Sequence, residues 1–383
     1  MAFDKTRLVH MQRGDSSQLR RPVNPPIVRA STVLFRDVET LLDTRRRSNA
    51  GERVFRYGVQ GTPTSFQLEE AITEIEGGHG TLLFSSGLAA VAHPFLSILR
   101  PGDHLLLADT IYGPARDIAE QYLPERGVNC EFYAGGHETV ARLLRPETRM
   151  VYLDNPGSIV FDVQDVPALA ALLEGRNTLL VVDNTWGAPG LYRPLTLGAD
   201  ISVVAVTKYI AGHSDLMMGS VTANARCFDR LRRDNDLLGH TANPEDAYLA
   251  LRGLRTAAAR LAMHADHART VADWLMQQPQ VEAVLYPPRE GDPGHHLWAR
   301  DFEGANGLLS VVFRDGISQA DVNRCVDQLK LFGLGASWGG FESLVMVYGN
   351  VPGWSGGRVM RLHIGLENPA DLIGDLAQGF AAM

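Results

Sequence analysis

The sequence has almost no cysteine, with only Cys130, Cys227 and Cys325 in 383 residues. Odd in number and far apart, they form neither a disulfide framework nor a CxxC metal or redox pair, and a reducing compartment is expected. A surplus of positive charge is also missing: 36 Lys and Arg stand against 44 Asp and Glu, for a formal charge of −8. No broad basic surface is therefore available to hold a nucleic acid. Long apolar runs are absent too, because the most apolar stretch, GTLLFSSGLAAVAHPFLSIL, is interrupted by Ser, Gly, His and Pro. The amino end, MAFDKTRLVHMQRGD, carries charges where a leader would need an apolar core. A soluble cytoplasmic protein with no membrane partner is expected. Neither GxSxG nor HExxH occurs, and His213 and Asp215 lack a third ligand at metal spacing. His213 is accordingly expected to order the glycine loop near Lys208, and no metal is expected. Internal repeats and low-complexity linkers are also lacking.

What is present is ordinary globular composition, with 45% apolar residues over a length sufficient for two to three domain-sized cores. Between residues 66 and 224 short β-rich runs alternate with helical patterns. The runs Thr81-Phe84, His104-Ala108, Met150-Asp154, Thr178-Asp183, Ile201-Val206 and Ser220-Ala223 predict a buried α/β sheet with parallel strands and crossover helices. Gly77 and Gly175 mark helix ends. From about residue 250 a long amphipathic pattern, then VEAVLYP, NGLLSVVF, DVNRCVDQLKLFG, RVMRLHIG and NPADLIGDLAQGF, predict a smaller α+β unit. The proline-rich RPVNPPIVRASTVLF predicts an arm instead of a core strand.

Three places could carry chemistry. Ser85-Ser86-Gly87 joins an apolar strand to a small-residue helix, a junction whose free N–H groups bind anions, phosphate above all; close packing alone would use the same residues. Asp183 ends the strand TLLVVDN, where an acid could pair with a protonated ring nitrogen, hold a metal, or cap the next turn. Lys208 follows ISVVAV directly, at the predicted mouth of the sheet. Desolvation there would favour the neutral amine that Schiff-base chemistry needs; the alternative is a lysine snorkelling to the surface.

Taken together, SSGLAA, DNPGS, VVDNTWGAP, VTKYIAGHSD, ASWGGFESL and RLHIGLE resemble the signature run of the pyridoxal-phosphate enzymes of cysteine and methionine metabolism. PGS, KYIAGHSD and SWGGFESL are most similar to the branch of bacterial cystathionine β-lyases. The resemblance implies pyridoxal 5'-phosphate as cofactor and fold type I, the aspartate-aminotransferase-like α/β fold, with a large mostly parallel-sheet domain and a smaller α+β C-terminal domain. Residues 1–57 would then be an N-terminal arm contacting a partner subunit, 58–252 the cofactor-binding domain and 253–383 the C-terminal domain. A homo-oligomer, a dimer of dimers, acting on a small amino-acid substrate is implied.

The same resemblance assigns roles. Lys208 would form the imine with the cofactor and later move the α-proton, while Asp183 would pair with the pyridine nitrogen. Tyr112 would stack on the ring, Gly87, Leu88 and Thr207 would form the phosphate cup, and Ser158 would sit near the ring hydroxyl. Arg361 would grip the substrate α-carboxylate with help from the backbone near Ser337, its alternative being a strand-end ion pair with Glu367. Trp338 would shape the pocket, and Tyr57 would reach the neighbouring subunit's site to tune proton transfer and contact substrate.

One stretch departs from the pattern. Where the family follows the tyrosine with a phosphate-clasping arginine, and close relatives with a second, this chain has Val59 and Gln60. Arg53 or Arg56 would have to substitute. Ala336 stands where near relatives carry a bulkier aromatic residue, so a roomier, less cationic distal pocket is expected. The implied activity is carbon–sulfur β-elimination of L-cystathionine or a related cysteine thioether to a thiol, pyruvate and ammonia. Alternatives are a β-lyase of S-alkyl cysteines, a γ-lyase or γ-synthase of the same family, and, more distantly, a non-catalytic member.

Overall fold

The computed structural model describes residues 4–12, 20 and 22–383. Two sheets organise the chain. The first contains β1 (Gly80–Phe84), β2 (His104–Ala108), β3 (Asn129–Tyr133), β4 (Thr148–Asp154), β5 (Leu179–Asp183), β6 (Ile201–Val204) and β7 (Gly219–Ala223), in the order β1-β7-β6-β5-β4-β2-β3. The second contains β8 (Val281–Leu285), β9 (Leu308–Phe313), β10 (Gly333–Leu334), β11 (Leu344–Tyr348) and β12 (Val359–His363), in the order β10-β11-β12-β9-β8. The helices are α1 (Lys5–His10), α2 (Val38–Asn49), α3 (Pro63–Glu76), α4 (Gly87–Ile98), α5 (Gly113–Asp117), α6 (His137–Leu143), α7 (Val166–Leu173), α8 (Phe228–Leu238), α9 (Pro244–Leu275), α10 (His295–Asp301), α11 (Gln319–Gln328) and α12 (Pro369–Phe380).

The expectation of parallel pairing fails at one strand. β7 runs antiparallel to both β1 and β6, whereas β2–β3, β2–β4, β4–β5 and β5–β6 are parallel. The connection from β6 to β7 contains turns and no crossover helix, so the chain doubles back beside the strand it has just left. That turn carries Lys208. Because β1, β4, β5 and β6 share one direction, their carboxyl ends meet on one edge of the sheet, where α/β folds bind ligands. Every residue of β5 is buried, in keeping with its unbroken apolar run.

Local signals explain the elements that frame this edge. Pro63 opens α3, Ser65 Oγ accepts from the Thr62 N–H at 2.9 Å, and Gly77 closes the helix with φ +72°. Ser86 caps α4 by accepting from Ala89 N–H at 3.1 Å. The long helix α9 has 32 residues, about 48 Å by its rise per residue, and residue 253 falls inside it. It packs on α1 and α3 at one end and on β8, β9 and α12 at the other, so a single rigid element ties the two sheets together.

Residues 22–35 form no helix or strand beyond the isolated bridge Thr32–Tyr57, and α2 buries none of its residues. All three cysteines are free. Among the described residues no helix is long and apolar enough to cross a membrane.

Candidate active site

A cavity of about 400 Å³ opens at the shared carboxyl edge and is closed on its other side by the second sheet. Ten of the eleven candidate site residues line it: Gly87, Leu88, Tyr112, Ser158, Asp183, Thr207, Lys208, Ser337, Trp338 and Arg361. Tyr57 does not. It stands outside, half exposed, at the start of the turn that carries Val59 and Gln60. Of the two candidate substitutes for the missing arginine, Arg53 is engaged by the buried Glu69, whereas the Nε of Arg56 is buried without a partner.

Lys208 lines the cavity. Its Nζ donates to Ser337 Oγ at 2.6 Å and lies 5.3 Å from the centre of the Trp338 ring. Burial, reinforced by the positive charge of Arg361, lowers its pKa to about 8 even though Asp183 pulls the other way. Neutral and ammonium forms are therefore both available near physiological pH. The backbone around it is tightly held. The Lys208 carbonyl accepts from Gly212 N–H at 2.8 Å, and Arg260 on α9 donates to Tyr209 O at 2.9 Å. Ser337 adopts φ +93°, a conformation that non-glycine residues seldom take, so the loop is strained at the point where it meets the amine. Next to it, a Cβ on Gly339 would stand 3.0 Å from Lys208 Cα; only glycine lets the SWGG loop approach this closely.

Two buried carboxyls end adjacent strands. Asp154 and Asp183 are register partners on β4 and β5, so their side chains leave the sheet on the same face. Asp183 Oδ1 accepts from Thr185 N–H at 2.9 Å, and its Oδ2 lies 3.5 Å from the Tyr152 hydroxyl. Asp154 Oδ2 accepts from Tyr112 N–H at 2.9 Å, while its Oδ1 is buried without a partner. Burial raises the pKa of both acids, and for Asp154 the charge of its neighbour adds to the effect. Asp154 was not singled out from sequence, yet the argument that picked Asp183, an acid ending a buried apolar strand, applies equally to Met150-Asp154.

Arg361, on β12, donates to Ser337 O at 3.2 Å and lies 5.7 Å from the Tyr348 ring centre. The alternative ion pair with Glu367 does not form. That carboxylate accepts instead from Ser343 N–H and Ser343 Oγ, both at 2.8 Å. Among the described residues no carboxylate pairs with Arg361. His213 lies outside the cavity with Nδ1 2.7 Å from Ala211 O, and no group of three His, Cys, Asp or Glu is placed to hold a metal among the described residues.

The donors fit pyridoxal phosphate from end to end. At one end, Gly87 and Leu88 supply first-turn N–H groups that α4 leaves without intrahelical partners, together with the positive end of the helix dipole. A Cβ on Gly87 would stand 2.8 Å from Ala205 Cβ, so the turn is already closed to any larger residue. Thr207 is less free: its hydroxyl donates to Met218 O at 3.1 Å and would have to turn to meet a phosphate. At the other end, the acid pair with its unpartnered Oδ1 calls for a cation or a donor, which a protonated ring nitrogen provides. Between them stand the amine of Lys208 and the half-exposed ring of Tyr112.

Comparison with known proteins gives matches over nearly the whole chain. The family model described as Cys/Met metabolism PLP-dependent enzyme matches residues 5–381. A cystathionine beta-lyase of Bordetella avium is 47% identical over 93% of this chain and 91% of its own length. Cystathionine beta-lyase MetC of Escherichia coli strain K12 is 39% identical over 98% of each. The crystal structure of metB from Corynebacterium glutamicum superposes with a TM-score of 0.88 at 30% identity, covering 98% of this chain and 97% of that one.

Proposed function

Since the chain belongs to the Cys/Met metabolism PLP-dependent enzyme family and is a pyridoxal-phosphate-dependent carbon–sulfur lyase of fold type I, we propose that it cleaves L-cystathionine or a related cysteine thioether by β-elimination. When bound, the cofactor supplies an electron sink conjugated to the substrate α-carbon. The chain's own residues do the rest. Gly87, Leu88 and Thr207 would hold its phosphate, Asp183 with Asp154 beside it would keep the ring nitrogen protonated, and Tyr112 and Ser158 line the same cavity to cover the ring and meet its hydroxyl.

Arg361 grips the α-carboxylate, its fork oriented by the Ser337 carbonyl, and this fixes the α-hydrogen relative to Lys208. Lys208 then takes that proton at Nζ. In the cofactor-free chain burial and Arg361 lower the pKa of this amine to about 8, the direction that a base working near neutral pH needs. The β carbon–sulfur bond breaks with its electron pair on sulfur, which takes up a proton and leaves as thiol. Addition of one water releases the remaining three carbons as pyruvate and the nitrogen as ammonia. In the cofactor-free chain Ser337 Oγ and the Trp338 ring are the groups that position the free amine.

Tyr57 acts in the site of a neighbouring copy. This is supported by its exposure outside its own cavity and by the absence of any buried residue on α2, a face suited to subunit contact in a homo-oligomer of two dimers. The cytoplasm is the compartment that suits three free cysteines.

The observation that carries the reading is Lys208 placed in one cavity between an unpaired guanidinium and a buried acid pair. Purified holoenzyme incubated with L-cystathionine should yield pyruvate and homocysteine in equal amounts, and Lys208→Ala should abolish both. Formation of 2-oxobutyrate in place of pyruvate would move the enzyme to γ-elimination.

A further inference from the structure

Arg260, on the long helix α9, is a buried cation that the chemistry above leaves unused. Only 8% of it is exposed, and among the described residues no carboxylate pairs with it. Burial lowers its pKa to about 10, so it stays charged at neutral pH. Burying a charge without a counter-ion is strongly disfavoured unless oxygen atoms are arranged to receive its hydrogens. Here they are mostly backbone carbonyls. Nη2 donates to Tyr209 O at 2.9 Å and to Gly253 O at 2.8 Å, with Ile210 O 3.5 Å away, and Nε donates to Thr256 Oγ1 at 3.3 Å.

Two of those carbonyls belong to the turn that carries Lys208. The turn engages its own N–H groups internally: Lys208 donates to Ala205 O at 3.0 Å, Ala211 to Val206 O at 3.0 Å and Gly212 to Lys208 O at 2.8 Å. Among the described residues no backbone N–H reaches Tyr209 O or Ile210 O, and the guanidinium faces both. Packing is equally close. A Cβ on Gly212 would collide with Arg260 Nη1, and one on Gly253 with Ala211 O, so helix and turn touch with the guanidinium wedged between them. Nη1 is enclosed and has no hydrogen-bond partner; its place is set by the bare face of Gly212.

The next turns of α9 hold the other half of the site. Four and seven residues on, along the same face, His264 Nδ1 lies 2.8 Å from Ile364 O and His267 Nδ1 3.2 Å from Gly365 O. Both carbonyls lie just past the end of β12, the strand of Arg361. One rigid helix is therefore bonded both to the segment of the amine and to the strand of the arginine.

We propose that Arg260 is a positioning residue for the reaction: through the carbonyls of Tyr209 and Ile210 it fixes the Lys208 turn against α9 and so sets the amine relative to Arg361. This rests on the reading of Lys208 as the reactive amine. An arginine suits the task because its plane meets Thr256, the carbonyls and Gly212 at once, whereas an ammonium is a point donor.

Two variants separate placement from charge, since Arg260→Lys keeps the cation and Arg260→Met removes it. The first readout is amine-directed acylation of Lys208 in the cofactor-free protein across a pH series, with the Lys208 peptide quantified by mass spectrometry. A loosened turn admits water to the amine, so the midpoint should rise by about half a unit or more in Arg260→Lys, where no charge has changed. The second is kcat and KM of the holoenzyme for L-cystathionine, by pyruvate release. A fall in kcat of about threefold in Arg260→Lys and about tenfold or more in Arg260→Met is expected from displacing the amine. KM should stay within about twofold of the parent, because the grip of Arg361 is untouched. A parental kcat or an unmoved midpoint in Arg260→Lys overturns the proposal, as does a rise in KM with kcat unchanged. If Arg260→Met does not fold, Arg260→Lys alone decides. Absence of pyruvate from the unmodified enzyme overturns the lyase reading beneath, while the labelling midpoints still decide the clamp.

Discussion

Replacing Arg361 with methionine removes a positive charge close to Lys208 while keeping an apolar stem against Tyr348. Both cations are tied to Ser337, Lys208 through Oγ at 2.6 Å and Arg361 through the carbonyl at 3.2 Å. Bonds to the same serine keep the two charges within about 10 Å, and at that separation and an effective dielectric of about 20 two unit charges repel by at least roughly 1.5 kcal/mol, about one pKa unit. The Lys208 pKa, about 8 in the parent, should therefore rise by about one unit or more in Arg361→Met, with burial still holding it below the ordinary lysine value. At pH 8 the neutral fraction falls from about a half to about a tenth, so an amine-directed acylating reagent should label Lys208 about fivefold more slowly. The assay is brief labelling of the cofactor-free protein across a pH series, with the Lys208 peptide quantified by mass spectrometry. An unmoved midpoint would show that burial alone sets the shift. A lower midpoint would refute the assigned sign.

Three further outcomes follow from the same geometry. In the folded chain Lys208 binds its proton less tightly than the unfolded chain's lysine at 10.5, so the stability of the cofactor-free protein should increase as pH rises from about 8 to about 10.5; urea unfolding of Lys208→Met should lack that increment. Glu76 on α3 is the reverse case: burial raises its pKa to about 7, although Ser202 Oγ at 2.6 Å and Asn184 Nδ2 at 3.0 Å hold the carboxylate. The folded state keeps a proton that the unfolded state has lost, so stability falls as pH rises from about 4.5 to 7, and Glu76→Gln, which cannot ionise, should gain up to about 3 kcal/mol relative to the parent between pH 5 and pH 8 in urea unfolding. Gly339→Ala would place a methyl group 2.9 Å from Tyr209 N and 3.0 Å from Lys208 Cα, on backbone already at φ +88°. A fall in kcat of about tenfold or more is expected from displacing the amine by a fraction of an ångström; an unchanged kcat would mean that the loop yields instead.

Much of the first sheet was legible because fully buried strands read as unbroken apolar runs between glycines and acids. The runs predicted for β2, β4, β5 and β7 fall within a residue or two of the strands that form. β3 was missed because NCEFY mixes charge with apolar residues at the sheet edge, and the reversal of β7 was missed because strand direction is set by what connects the strands, not by their composition. α2 gave no signal because VETLLDTRRRSN has no face that this chain buries. Of the ten cavity residues, Gly87, Asp183 and Lys208 were legible from local chemistry, at a strand-to-helix turn and at two strand ends, whereas Leu88, Tyr112, Ser158, Thr207, Ser337, Trp338 and Arg361 were reached through the family resemblance.

The neighbours that give those residues their properties were not reachable in this way. Asp154 meets Asp183 only through β4–β5 register, and Arg361 reaches Lys208 only because the SWGG loop bridges the two sheets. Ile159 and Phe161, apolar residues of the cavity wall, adopt left-handed backbone in a loop held by its own hydrogen bonds and by Ser310, some 150 residues away in the chain, which donates to Ile159 O. By itself the order of residues determined the fold class, the lysine and the acid, since hydrophobic period and residue type are local quantities; the arginine was reached through the family resemblance. The amine's lowered pKa, the pairing of the acids and the apolar wall of the cavity were decided by the tertiary structure alone, because desolvation, charge coupling and enforced strain depend on distances between segments far apart in the chain.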